Sequence, residues 1–370
     1  MKSENAGTRL RGGIAKIGKK IWNETLLYTL LAIFIGLLVG AIILLVSGFN
    51  PFEAYGRLFS GAMGTAKSRA YTVQYATPII FTGLSVAFAF KTGLFNIGAE
   101  GQYIVGALAA IICGVWLPLP AGLHGLVCLI AGAAAGALWG AIAGFLKAWR
   151  GISEVIVTIM LNWIGFYLSN YLCMSPLLKK PESTASVDIA ETARISTGMF
   201  SGRYGNVDIH FGMLLAVVAV IVIWYIVNRT TLGYRLRAVG FNRHAAEYGG
   251  ISVKGSFMTS MGIAGMLAGL GGAAQVCGVI GRISQLGNQE GYGFDGLSVA
   301  MIGASSPIGV LFSGLFFGGM KYGGSKLTLM NVPPELVNVV IGAILYAIAI
   351  MGAFRLIVKH IKAKKGGALR

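Results

Sequence analysis

Apolar residues occur in long stretches along most of the chain, separated by short segments that carry most of the charges. A helix needs about 18–20 consecutive apolar residues to cross a bilayer, and several stretches reach that length. The pattern therefore predicts an all-α, polytopic membrane protein. The predicted stretches cover about 26–46, 73–90, 94–117, 121–146, 152–174, 211–228, 256–280, 294–325 and 335–358.

The distribution of charge predicts how many times the chain crosses. Basic residues are dense before the first stretch and after the last, so we expect both termini on the cytoplasmic side. Termini on one side require an even number of crossings. The stretch 294–325 is interrupted by Ser305, Ser306 and Pro307, and we divide it there to give ten helices. This assignment places loop 229–255 inside and loops 47–72 and 175–210 outside.

The chain divides into three predicted parts. Residues 1–24 form a basic amphipathic segment suited to an anionic membrane surface, with a solvated basic tail as the alternative. Residues 25–358 form the membrane domain, whose first span is too long for a signal-peptide core and is expected to remain uncleaved. Residues 359–370 form a basic cytoplasmic tail.

Two similar segments suggest an inverted internal repeat, with halves at about 25–174 and 211–358. Residues 96–102 and 288–295 are both rich in glycine and both carry an acid and an amide ahead of an apolar run. Interrupted helices at matching places in two halves are typical of a substrate path. The alternative is that glycine-rich loops simply lead into helices here.

Composition excludes several classes of protein. Hydrophobic residues make up 55% of the chain and charged residues 12%, against about 25% charged in a soluble domain. The net charge of +17 is spread over the short inter-span segments, which favours the positive-inside rule over nucleic-acid binding.

Residues 61–68 and 291–296 approach two phosphate-binding patterns, but neither has a preceding strand. The four cysteines and four histidines have no metal-like spacing. We expect neither a catalytic site nor a cofactor on this chain.

Segments 93–102, 153–162 and 233–251 together resemble the permease subunits of bacterial ABC importers for simple sugars and nucleosides, the first two most closely the nucleoside branch. The resemblance covers about residues 25–355. It implies a type II ABC importer-like fold of ten helices with an internal repeat, in the bacterial plasma (inner) membrane. It also implies a separate ATPase subunit that binds ATP and Mg, and an extracytoplasmic substrate-binding protein or lipoprotein. The second permease subunit would be a homologue in a heterodimer, or a copy in a homodimer.

The resemblance also implies that loop 229–255 forms a short helix that docks into the ATPase. Its arginines and Glu247 give a charged surface, and Ala245, Ala246 and Tyr248 offer a small contact face. Gly240 and Gly249 would allow turns at its ends. The alternative is a basic loop held only by lipid headgroups. The expected coupling residues are Arg237, Gly240, Asn242, Arg243, Ala245, Ala246, Glu247 and Gly249.

A nucleoside path needs a stacking face and a few hydrogen-bonding groups. Aromatic residues in spans also pack in cores or at interfaces, and Glu100 could instead cap a helix N-terminus. An ion-coupled secondary transporter or channel is the alternative function, but charges within the spans are nearly absent. The sequence does not distinguish a nucleoside from a sugar. The expected path residues are Phe95, Asn96, Glu100, Gln102, Asn162, Gln275, Tyr292 and Phe294.

Overall fold

The computed structural model describes residues 24–196, 207, 209–333, 335–343, 346, 347 and 350. Within these ranges the chain is helical and has isolated bridges but no strand. The predicted tail 359–370, and all but the last residue of the predicted segment 1–24, lie outside the described residues. The chain divides into two compact units, Met1–Gly56 with Leu327–Arg370, and Arg57–Lys326.

The helices follow the predicted apolar stretches closely. We number them α1 Glu24–Val46, α2 Pro51–Met63, α3 Ala66–Phe90, α4 Ala99–Trp116, α5 Leu123–Arg150, α6 Glu154–Cys173, α7 Phe211–Arg229, α8 Thr231–Phe241, α9 Arg243–Tyr248, α10 Val253–Gln275, α11 Tyr292–Ile302 and α12 Pro307–Ser325. A π-helical turn, Val276–Ile280, continues α10, and residues 335–343 are also helical.

Two sequence expectations can be compared directly with these bounds. The division of 294–325 is confirmed, because α11 ends before a turn in which Ala304 and Ser305 have φ near +50°. The predicted connection 47–72 is largely helical, because it holds α2 and the beginning of α3. Thr65 caps α3 by accepting a hydrogen bond from the Ser68 backbone N–H.

Six helices among the described residues are long and apolar enough to cross a membrane. They are α3, α4, α5, α6, α7 and α10 with its π-helical turn. The chain is therefore a multi-pass membrane protein. Ten crossings remain a prediction.

The centre of the larger unit is built on small residues. Gly132, Gly136 and Gly140 on α5 lie against Gly265 and Gly269 on α10, where an added Cβ would meet backbone atoms. Such a stripe lets two helices approach closely in lipid. Glycine recurs in the sequence at positions 132, 136, 140 and 144, a spacing that predicts a close-packing face on one side of a helix, and the structure confirms that face.

Helices α3 and α10 contact each other within this unit. α3 packs against α11 and α12, whereas α10 packs against α4 and α5. α8, α9 and the turn at 91–93 lie together at one end of the unit, which we call the coupling end. The segment 175–196 and the loop 281–291 lie together at the opposite end, joined by hydrogen bonds such as that from Ser186 N–H to the Ile283 carbonyl.

In the smaller unit, α1 exposes many large apolar side chains, as expected for a helix facing lipid. The Tyr55 hydroxyl donates a hydrogen bond to the Leu37 carbonyl at 2.7 Å. Gly40 provides the space for the Tyr55 side chain.

Candidate substrate path and coupling surface

The two glycine-rich segments that the sequence singled out are in direct contact. Glu100, at the beginning of α4, is fully buried, and its carboxylate accepts hydrogen bonds from the backbone N–H groups of Gly291 (2.7 Å) and Gly293 (2.5 Å). These N–H groups lie at the N-terminus of α11, where a negative charge is stabilised. Glu100 therefore caps a helix, but the helix is α11 in the other half of the chain.

The glycines of 291–296 are explained by this close packing. A Cβ on Gly293 would fall on the backbone of Ala99 and Glu100, and a Cβ on Gly296 would fall on Thr82. The match to a dinucleotide-binding pattern thus reflects helix packing, in agreement with the absence of a preceding strand.

Two predicted path residues bond mainly to each other. The Asn96 side chain donates to Ser85 Oγ (3.0 Å) and to Gln102 Oε1 (2.9 Å), and Gln102 Nε2 donates to Asn96 Oδ1 (3.1 Å). Both side chains are at most 1% exposed. Buried amides that are paired in this way stabilise the beginning of α4.

Two asparagines on α6 hold the two glycine-rich regions. Asn162 accepts from Gly101 N–H at 2.8 Å and donates to the Ile97 carbonyl at 3.0 Å. Two turns further on, Asn170 accepts from Leu286 N–H and donates to the Leu286 carbonyl, both at 2.9 Å. One helix thus fixes the segment before α4 and the loop before α11.

The remaining predicted path residues are more dispersed. Phe95 packs against Phe90 with 5.2 Å between ring centroids, and Phe294 is 44% exposed. Gln275 is buried, and its Oε1 has no hydrogen-bond partner among the described residues. Asn96, Glu100, Gln102 and Asn162 are thus brought together, and contact of any predicted residue with substrate stays a prediction.

Tyr292 joins an aromatic and charged group. Its ring centroid lies 5.2 Å from that of Tyr103, and the Lys321 ammonium lies 5.1 Å from the Tyr292 ring. Lys321 also forms an ion pair with Asp295. Tyr292 is therefore packed between an aromatic ring and a cation that is already paired.

A cavity of about 210 Å³ opens beside this group, on the side away from the coupling end. Tyr103, Ser169, Arg282, Ser284 and Glu290 supply its polar lining, and all five are missing from the predicted path. Glu290 belongs to segment 288–295, which the sequence did single out. The others come from separate helices and loops, and their approach depends on the fold.

The coupling end contains the predicted loop 229–255 as two short helices. Thr230 caps α8 by accepting from Gly233 N–H at 3.2 Å, and Asn242 caps α9 by accepting from Ala245 N–H at 3.1 Å. The predicted residue Asn242 thus has a defined structural role. The Arg237 side chain donates to the Gly233 carbonyl within α8.

The glycines of this loop differ from their expected roles. Gly240 lies within α8, where the absence of a Cβ lets the helix contact the Lys91 carbonyl. Gly249 has a negative φ, and the sharp turn falls at Gly250, with φ +78°. The prediction of a turn at Gly240 is therefore wrong, whereas Gly249 does lie in the turn after α9, without needing a positive φ. Burial, followed by the nearby charge of Arg237, lowers the pKa of Lys91.

The exposed surface of α8 and α9 contains two large aromatic side chains. Phe241 is 90% exposed and Tyr248 is 96% exposed. Glu247 and Ala245 are exposed beside them, whereas Ala246 is buried in a cluster with Leu94 and Phe257. The Arg243 guanidinium lies 5.1 Å from the Phe257 ring. The sequence prediction named the charged residues, the small residues and Tyr248, but not Phe241.

Comparison with known proteins identifies the family. The family described as "Branched-chain amino acid transport system / permease component" matches residues 68–349. The guanosine ABC transporter permease protein NupP of Bacillus subtilis is 40% identical over 92% of this chain and 97% of its own length. The nucleoside ABC transporter permease protein NupB of Lactococcus lactis is 38% identical over 92% of this chain and 94% of its own.

A glucose ABC transporter permease protein of Haloferax volcanii, TsgB13, is 32% identical over 84% of this chain and 83% of its own. No solved structure matches the chain. The resemblance to ABC importer permeases is confirmed, and these relatives are transport components rather than enzymes. The chain belongs to the family of branched-chain amino acid transport system permease components.

Proposed function

We propose that this chain is the permease subunit through which nucleosides cross the plasma membrane, driven by a separate ATPase. The observation that carries the proposal is near full-length similarity to two permeases named for guanosine and nucleosides, at 40% and 38% identity. The glucose permease is less similar, at 32%. An ion-coupled transporter acting alone has no support among these relatives.

The direct test is uptake by the complete importer in membrane vesicles. Vesicles that contain this chain with its ATPase, second permease and binding protein are supplied with labelled guanosine or labelled glucose. We expect saturable, ATP-dependent guanosine uptake that excess unlabelled glucose does not reduce. Glucose uptake without guanosine uptake would overturn the substrate assignment.

An inverted repeat would relate the two halves in this function. Its support is the reciprocal packing of α3 against α11 and α12, and of α10 against α4 and α5. The hydrogen bonds from Gly291 and Gly293 to Glu100 then join the two interrupted regions of the path. If the two halves move relative to each other, we expect the contact between Glu100 and the two glycines to change first.

The cytoplasmic side is assigned to the coupling end, and both termini to the same side. Basic residues outnumber acids there, as the positive-inside rule requires.

Lys254→Cys and Lys179→Cys form a matched pair of exposed positions at opposite ends. In intact cells an impermeant thiol reagent should label position 179 and leave position 254 unlabelled. Labelling at position 254 alone would show that the coupling end faces the outside of the cell. The basic residues of the coupling end are Lys91, Lys147, Arg150, Arg229, Arg235, Arg237, Arg243 and Lys254.

ATP and Mg bind the partner ATPase in this proposal, and no cofactor binds this chain. The second permease is a different homologue, because Bacillus subtilis and Lactococcus lactis each have two such relatives, NupP with NupQ and NupB with NupC. A homodimer is the alternative. A substrate-binding protein or lipoprotein delivers the ligand on the outer side.

The exposed aromatic residues Phe241 and Tyr248 supply the anchors for the ATPase. Aromatic side chains dominate binding energy at protein interfaces, and truncation of one typically costs about 2 kcal/mol or more. Phe241→Ser combined with Tyr248→Ser should therefore reduce recovery of the ATPase with the permease by at least about tenfold. Tyr171→Ser, which replaces a 73% exposed tyrosine on α6, is the matched control. Equal recovery of the ATPase with both variants would show that α8 and α9 do not form the interface with the ATPase.

A further inference from the structure

Three acids lie near the beginning of α11, and two of them are occupied by the protein itself. Glu100 accepts two backbone hydrogen bonds, and Asp295 is paired with Lys321. Glu290 forms no ion pair with any described residue within 4 Å. Glu290 lines the cavity and is exposed as a residue, although protein atoms surround its side chain on several sides. Of the three, Glu290 is the acid that a ligand can reach.

The walls of the cavity carry further groups suited to a polar ligand. Ser169 contributes a hydroxyl from α6, and Ser284 contributes a second one from the loop. Tyr103 lines the inner wall as a buried side chain packed against Tyr292, and its hydroxyl interacts with the Glu290 carboxylate. Serine hydroxyls and a carboxylate around one opening can donate to and accept from the hydroxyl groups of a sugar.

The size of the cavity limits what it can hold. Its volume of about 210 Å³ lies below the roughly 300–1,000 Å³ of pockets that enclose drug-sized ligands. It therefore accommodates a ribose-sized group more readily than a complete nucleoside. The purine or pyrimidine would extend past the rim formed by Arg282 and Ser284.

A carboxylate is costly to place among protein atoms without a strong partner. Desolvation by the protein atoms around the Glu290 side chain raises its pKa, and the Tyr103 hydroxyl and the charge of Lys321 offset this only in part. Two neighbouring ribose hydroxyls would supply it with charge-assisted hydrogen bonds. Among the described residues, the Tyr103 hydroxyl is the hydrogen-bond partner of this carboxylate, which leaves one of its two oxygens for a ligand.

We infer that this cavity binds the ribose of an incoming nucleoside, with the Glu290 carboxylate accepting hydrogen bonds from the 2′- and 3′-hydroxyl groups. The inference rests on the proposed function and adds the group of the substrate that the permease recognises. The cavity lies on the side away from the coupling end, so it is the site that receives ligand from the binding protein.

The test uses the complete importer in vesicles with saturating, fully loaded binding protein, so that the affinity of that protein no longer limits uptake. Glu290→Gln keeps the size of the side chain and removes its charge. Glu191→Gln, an 87% exposed carboxylate on the same side, is the matched control. Labelled guanosine and labelled 2′,3′-dideoxyguanosine are the two probes, and ATP hydrolysis stimulated by the binding protein is measured in parallel.

We expect Glu290→Gln to lower the maximal guanosine uptake rate about tenfold, because a hydrogen bond to a charged group is lost. Dideoxyguanosine uptake, stimulated ATP hydrolysis and the Glu191→Gln control should each stay within about twofold of wild type. Unchanged guanosine uptake would overturn the inference. An equal fall for both nucleosides, or a parallel fall in ATP hydrolysis, would also overturn it by assigning Glu290 a structural or coupling role.

Glu290→Asp provides a second variant if the Gln variant is not inserted. It retains the charge but shortens the side chain, so guanosine uptake should fall while dideoxyguanosine uptake is preserved. Equal effects on the two probes would again contradict the inference. A wild-type importer that transports glucose and not guanosine would instead contradict the proposed function, and the two failures are therefore distinguishable.

Discussion

The glycine-rich segments 96–102 and 288–295 have similar compositions but use their polar groups differently. In the first, Asn96, Glu100 and Gln102 are buried and bonded within the protein. In the second, Glu290 faces a cavity, and the two backbone N–H groups that follow are held by Glu100 of the first. The first segment is thus a rigid support, and the second is a surface held in position by that support.

The largest expected effect comes from removing the link between the segments. Glu100→Ala leaves the N–H groups of Gly291 and Gly293 unpaired in a buried site. Because each unsatisfied buried group costs about 1–3 kcal/mol, we expect a loss of about 4 kcal/mol in the free energy of unfolding. The measurement is an SDS titration in mixed micelles. A loss below about 1 kcal/mol would show that the segments are not mutually supporting.

A substitution on the other side of the same contact should have the next largest effect. Gly293→Ala forces a Cβ onto the backbone of Glu100, and overpacking of this kind costs about 1–3 kcal/mol. Gly287→Ala, in the preceding loop, has no atom within 4 Å of the added Cβ and serves as the control. The same SDS titration should separate the two variants, and equal stability would contradict the close contact.

The two asparagines of α6 sharpen the comparison further. Asn162→Ala removes buried bonds to Ile97 and Gly101, and we expect a cost of about 2 kcal/mol. Asn170→Ala removes bonds to Leu286 nearer to solvent, and about 1 kcal/mol is expected. Uptake should show the reverse order once corrected for protein level, because Asn170 positions the loop before Glu290. If Asn162→Ala and Asn170→Ala gave the same ratio of uptake to protein level, the two asparagines would not have these separate roles.

The smallest effect is a shift in pH dependence. Desolvation by surrounding protein atoms raises the pKa of Glu290, and the neighbouring groups are Tyr103, Tyr292, Lys321, Glu100 and Asp295. The ionised form is therefore lost at a higher pH than for an ordinary glutamate. Guanosine uptake should fall on acidification at a pH above the usual carboxyl range. This fall in uptake on acidification should be absent from the residual uptake of Glu290→Gln. If the fall persists in that variant, the titrating group is a residue other than Glu290.

Much of the fold follows from the sequence because membrane helices must be long and apolar. The break between α11 and α12 was predictable from Ser305, Ser306 and Pro307, and the α5 packing face from its glycine spacing. Helix α2 was missed because Glu53 and Arg57 interrupt its apolar residues, so it never forms an apolar run.

The site was less predictable because its groups meet only after folding. Asn96 and Gln102 are ordinary amides in sequence, and only the structure shows that they bond to each other. Tyr103 and Glu290 are far apart in the chain and come together through the contact between α4 and α11. Ala246 was taken as part of the ATPase surface, yet it packs inside the protein, and the exposed groups are Phe241 and Tyr248.

The division of labour between the two segments can be measured by cysteine accessibility in the assembled importer. Ser85→Cys reports on the first segment, since Ser85 contacts Asn96, and Glu290→Cys reports on the second. With a small thiol reagent present on both sides of a nanodisc, position 290 should react and position 85 should not, while the parent protein gives the background from the native cysteines. Rapid labelling at position 85, or none at position 290, would contradict the account.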